Sequence, residues 1–170
     1  DYISNLIQKN KCGFKMHPLA LNTPIRSLAN SPLASLANEF HIPFMLHTGS
    51  DSYSDSRDLL KMSRDYPQIN FCAAHFGHFR KEFLEGIDSC SNIYLDTSIL
   101  SVLLKEMTLI NPKHVDISGI PERIRSSAHP VLFNWLVDTY KLEDKIMFGS
   151  DMNWTKLYGT NRDQEIKFVE

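Results

Sequence analysis

The sequence predicts an α/β fold of parallel βα units, and three observations predict it. Short apolar runs recur along the chain, helical patterns fill the intervals between them, and Pro, Gly and Thr punctuate the ends of the runs. Five strands follow from this reading. The first covers residues 11–17 and is stopped by Pro18. The second covers 42–47, introduced by Pro43 and ended by Thr48-Gly49. The third covers 69–75 and meets Gly77, the fourth covers 92–96, and the fifth covers 145–150.

The intervals read as crossover helices. Residues 32–40 carry Leu33, Leu36, Ala37 and Phe40 at helical spacing, with Ser31 as N-cap and Pro32 at the first helical position. Residues 56–66 place Leu59, Leu60 and Met62 on one side, and shorter helices are expected at 80–87 and 99–107. The strongest pattern, at 129–142 with Val131, Leu132, Trp135, Leu136 and Tyr140, leads straight into the last strand. A further helix begins near Asn161. Two irregular stretches remain, 51–56 and 110–127, the second marked by Pro112, Gly119 and Pro121. Stretches of that kind beyond a strand's C-terminal end suit lids or substrate loops.

A chain of 170 residues that is 42% hydrophobic supports one core, so residues 1–170 read as a single domain. Eighteen basic residues against 20 acidic ones, spread along the chain, give a net charge of −2 and no electrostatic footprint for nucleic acid or an anionic membrane. No apolar stretch reaches the roughly 18 to 20 residues that span a bilayer, and the first residues lack a secretory pattern. A cytoplasmic location is the expectation. Cys12, Cys72 and Cys90 make an odd count without a Cys-x-x-Cys pair and read as reduced, mostly buried thiols. Small-molecule chemistry or a protein partner is what composition leaves.

The chemistry is suggested by where polar residues fall. His47, His75 and Asp151 are each the first strongly polar residue after an apolar run or its closing turn. In parallel α/β folds the C-terminal strand ends converge on one face, where ligands bind. Two imidazoles and a carboxylate gathered there suit a single divalent cation, zinc first and manganese second. Strand alternation sends Lys15 and His17 to one side, as a metal bridge or substrate clamp at the rim or, for Lys15, as a snorkelling side chain. His78, three residues beyond His75, and Trp154 are candidate substrate contacts. His41, His114 and His129 read as surface or capping residues, and Trp135 as core. Asp96 closes its strand either as a partner orienting a histidine or, preferably, as a cap for the next helix.

A complete (β/α)₈ barrel takes roughly 250 residues and at least about 200. Five strands in 170 residues therefore describe either an open sheet or part of a larger barrel.

Five segments, taken together, resemble the amidohydrolase superfamily. They are Gly13-Phe14-Lys15-Met16-His17-Pro18, Ile42-Pro43-Phe44-Met45-Leu46-His47-Thr48-Gly49, Phe71-Cys72-Ala73-Ala74-His75-Phe76-Gly77, Ile93-Tyr94-Leu95-Asp96-Thr97-Ser98 and Ile146-Met147-Phe148-Gly149-Ser150-Asp151. The branch they resemble most holds aminocarboxymuconate-semialdehyde decarboxylase and related lactone hydrolases. Their order and spacing are similar to strands four to eight of that barrel, which implies a partial TIM barrel whose N-terminal βα units are absent from this chain. The resemblance implies His47 as a metal ligand, His75 as the histidine that positions or polarises water or substrate, and Asp151 as ligand and general base. It implies hydrolysis or non-oxidative decarboxylation of a small carboxylated, lactone or amide substrate by a metal-activated water.

The first-strand His-x-His of the family does not occur in this chain. That leaves two further expectations open. One is a non-catalytic fragment or partner subunit, the other a TatD-like metal-dependent deoxyribonuclease, which the −2 charge balance disfavours. An open sheet edge leads to the expectation of a homo-oligomer or a companion N-terminal segment.

Overall fold

Among the described residues five strands, all parallel, lie side by side in chain order: β1 (Phe14–Met16), β2 (Phe44–Leu46), β3 (Phe71–Ala73), β4 (Ile93–Asp96) and β5 (Ile146–Met147). The computed structural model describes residues 5–7, 9, 12–109, 112–113 and 115–149. A strand order that never reverses is that of a barrel wall; a doubly wound sheet reverses at its switch point. The α/β reading and the partial-barrel reading both hold.

The crossovers carry α1 (Ile25–Leu28), α2 (Pro32–Glu39), α3 (Arg57–Asp65), α4 (Lys81–Ile87), α5 (Leu100–Met107), α6 (Glu122–Arg125) and α7 (His129–Tyr140). The strands are shorter than the apolar runs that predict them, because the runs continue past the paired residues into turns. The one-turn helices α1 and α6 are additions, and α6 interrupts the stretch expected to be irregular at 110–127. Ser31 caps α2 as expected, its hydroxyl accepting from the Ala34 amide at 3.2 Å.

Register explains the core. Phe14 pairs with Phe44, Phe44 with Phe71 and Phe71 with Ile93, so one row of large apolar side chains crosses the sheet. A second row holds Met16, Leu46, Ala73 and Leu95, extended by Ile146 opposite Leu95. Both rows pack under the helices, among Leu59, Met62, Phe83, Leu104, Leu132 and Leu136. Alternation sends Lys15, Met45, Cys72 and Tyr94 to the opposite face, where with Met147 they line an open groove of about 520 Å³. Trp135 is half-buried against the core, and Val131, expected with it on the apolar face of α7, is exposed.

Asn92 binds the connections beneath the sheet together. Its buried side-chain amide donates to the carbonyls of Ser63 (3.2 Å), Tyr66 (3.2 Å) and Ile69 (2.8 Å), tying the end of α3 and the approach to β3 to the start of β4. Cys72 and Cys90 are buried, Cys12 is half-buried, and all three are free thiols. Among the described residues no helix is long and apolar enough to cross a membrane.

Candidate active site

His47 stands one residue past β2, and its amide extends the ladder by donating to the Met16 carbonyl at 2.9 Å. The side chain therefore leaves the sheet on the same face as Met45, above the C-terminal strand ends. His17 likewise stands one residue past its strand, β1, and its ring stacks on His47 with centroids 3.8 Å apart and planes 14° from parallel.

His75 is placed by a different device. Rather than closing β3, it opens a turn in which five consecutive residues are left-handed: His75 (φ 59), Phe76 (φ 56), Gly77 (φ 62), His78 (φ 55) and Phe79 (φ 53). Each non-glycine residue there costs about 1–2 kcal/mol in local sterics, so tertiary contacts must hold the turn. Phe76 and Phe79 are buried and stack with centroids 4.9 Å apart, and Phe76 meets Phe133 of α7 edge-on at 5.6 Å. The hydroxyls of Thr48 and Ser56 donate to the carbonyls of Ala74 (2.5 Å) and Gly77 (2.7 Å). The Asp96 carboxylate accepts from the His75 amide at 2.8 Å. With about three residues per turn, His75 and His78 come to the same side, and both line the cleft.

That cleft holds about 680 Å³ and gathers Lys15, His17, His47, His75 and His78. Leu19, Ile99, Val102 and Leu103 form an apolar wall, and Asp51 and Glu106 supply carboxylates. The Nε2 of His75 lies 3.0 Å from the Nδ1 of His47. Burial first, then the neighbouring His75, His17, Lys15 and His78, lowers the His47 pKa to about 3, so its imidazole is neutral at pH 7.

Asp96 proves to be more than a helix cap. The residue preceding α5 is Ile99, at φ 53, with no side-chain capping bond. The Asp96 carboxylate instead accepts from the Ser98 amide (3.1 Å) and hydroxyl (2.5 Å), and the Ser98 hydroxyl lies 2.8 Å from the His75 Nδ1. Ser98 escaped the sequence reading; an Asp-x-Ser step at the end of an apolar run was its only local signal.

The two imidazoles fit a metal. Two nitrogens held at zinc–nitrogen distances of about 2.0–2.1 Å lie roughly 3.0–3.4 Å apart, the separation found between His75 and His47, and neutral imidazole is the form that ligates. Among the described residues no group of three or more His, Cys, Asp or Glu is gathered to hold an ion. The third expected ligand, Asp151, lies outside the described residues, as do Trp154 and His114. Residues 147–149 are held beside the end of β4: the Thr97 amide donates to the Met147 carbonyl at 3.1 Å and the Gly149 amide to the Thr97 hydroxyl at 3.2 Å. His41 is exposed, as expected for a surface residue.

No curated protein matches the sequence as a relative. Among solved structures, the chain is similar to an uncharacterised TIM-barrel protein from Bordetella bronchiseptica, with 15% identity and a TM-score of 0.48 over 75% of this chain and 39% of that one. It is also similar to a dihydroorotase from Campylobacter jejuni, with 16% identity and a TM-score of 0.49 over 82% of this chain and 43% of that one. The chain thus spans about two fifths of the length of either structure. A family model described as Amidohydrolase matches residues 5–165, nearly the whole sequence, and by that match the chain belongs to the amidohydrolase family.

Proposed function

We propose that this chain forms the C-terminal strand-end half of a metal-dependent hydrolase site, with His47, His75 and Asp151 as its share of the ligands. The observation that carries the reading is the pair of imidazole nitrogens 3.0 Å apart in a cleft of about 680 Å³, supported by the family match. A bound divalent cation, zinc before manganese, supplies positive charge that lowers the pKa of water at the site. The chain's own residues do the rest. Asp151 accepts a proton, His75 positions or polarises the water or substrate, and the Lys15 ammonium and His17 orient a carboxylated substrate. His78 and Trp154 contact its body, which rests on the apolar wall of Ile99, Val102 and Leu103.

The substrate class in this reading is a small carboxylated lactone or amide, with non-oxidative decarboxylation as the related reaction. The test is metal content by plasma emission on protein purified without chelator, beside a His47→Ala, Asp151→Ala double variant. Near-stoichiometric zinc or manganese that the variant loses is the expected result, followed by a screen of lactones, amides and decarboxylation substrates. Absence of metal from both proteins overturns the reading.

A further inference from the structure

The hydrogen bonds around Asp96 run in one direction only, and that direction reaches the cleft. Oδ1 of Asp96 accepts from two backbone amides, His75 at 2.8 Å and Ser98 at 3.1 Å. An amide can only donate, so this oxygen is an acceptor and the Ser98 hydroxyl, 2.5 Å away, gives its proton to it. With that proton committed, the Ser98 oxygen offers only lone pairs to the His75 Nδ1 at 2.8 Å. The same ring nitrogen also faces the Ser98 carbonyl at 3.4 Å, a second group that can only accept. Nδ1 of His75 must therefore carry a hydrogen.

We infer that Ser98 is a positioning residue. It fixes His75 as the Nδ1–H tautomer and turns the Nε2 lone pair into the cleft, with Asp96 setting the direction of the Ser98 hydroxyl. With a neutral His75 in the metal-free protein, that lone pair receives a hydrogen bond from the His47 Nδ1, 3.0 Å away, which assigns the Nδ1–H tautomer to His47 as well. His75 then meets the cleft as an acceptor, through an atom able to bind an ion or take a proton. Its use in chemistry rests on the proposed hydrolase reading; the tautomer does not.

The test is a long-range proton–nitrogen correlation spectrum of the ¹⁵N-histidine-labelled full chain without metal, which identifies the ring nitrogen that bears hydrogen. Wild type should show His75 as Nδ1–H. Ser98→Ala should lose that preference and Ser98→Thr, which keeps the hydroxyl, should restore it. Ser98→Cys, close in size and a weak acceptor, makes the same comparison should the alanine variant fail to fold. Zinc titration of the same proteins should show affinity falling about 10–100-fold in Ser98→Ala and recovering in Ser98→Thr. An Nε2–H tautomer in wild type, or an unchanged tautomer in both Ser98→Ala and Ser98→Cys, overturns the inference. Tautomers as stated in a wild type that binds no zinc would support the hydrogen-bond assignment and overturn the hydrolase reading.

Discussion

Phe83 occupies the space that a side chain at Gly77 would need: a Cβ there would lie 2.3 Å from the Phe83 ring. The glycine also sits at φ 62, within the left-handed turn that brings His75 and His78 to the cleft. Gly77→Ala therefore meets both a steric clash and an unfavourable backbone conformation. It should destabilise the protein by about 2–4 kcal/mol, combining overpacking with left-handed strain, and weaken zinc uptake. Urea denaturation with metal analysis checks both, and an alanine variant as stable as wild type would show that the turn relaxes freely.

Ser56 holds the same turn from the α3 side. Its buried hydroxyl donates to the Gly77 carbonyl at 2.7 Å, and removing it leaves that carbonyl without this donor. Ser56→Ala should cost about 1–3 kcal/mol, measured by denaturant unfolding. Amide exchange at residues 75 to 79 should speed up with it; unchanged exchange there would place the restraint elsewhere.

Asn92 offers a prediction separate from the cleft. Its amide reaches three carbonyls, so Asn92→Ala should lower stability by roughly 2–4 kcal/mol through lost bonds and unsatisfied buried acceptors. Zinc affinity of the folded variant should be unaltered. A change in affinity as large as the change in stability would tie this residue to the site.

Burial, with the nearby Asp96 adding to it and Lys15 opposing it, pushes the Cys72 thiol up to about 12. Only the thiolate is nucleophilic, so its alkylation rate should climb with pH until about 12 and be negligible at neutrality. At pH 8 on the order of one molecule in ten thousand carries the thiolate. Peptide mapping after brief iodoacetamide treatment at pH 8 should find half-buried Cys12 labelled before Cys72. Equal labelling would contradict the burial of Cys72.

The parts of this molecule legible in its sequence are those governed by short-range periodicity. Apolar runs located each of the five described strands, and the first polar residue after a run located His47. Alternation put Lys15 and His17 on one face, and the structure lines the cleft with both. The rest depends on partners distant along the chain. His75 was found, yet the left-handed turn that aims it was not, because four of its five residues are not glycine and adopt that conformation under tertiary packing. Ser98 meets His75 across 23 positions and Asn92 meets Ile69 across 23, separations at which no local pattern speaks. The one-turn helices α1 and α6 are too brief for a 3.6-residue period to register.

The turn at residues 75 to 79 carries two of the cleft's histidines, His75 and His78, on the same short stretch as the buried Phe76 and Phe79. His75 precedes Phe76 in the turn, and Phe76 packs against Phe79 and Phe133, so a backbone excursion of the turn would disturb the buried aromatic cluster as well as the site. The expected outcome is that hydrogen exchange at the His75 amide, bonded to Asp96, tracks the opening of the core rather than a local fraying of the cleft.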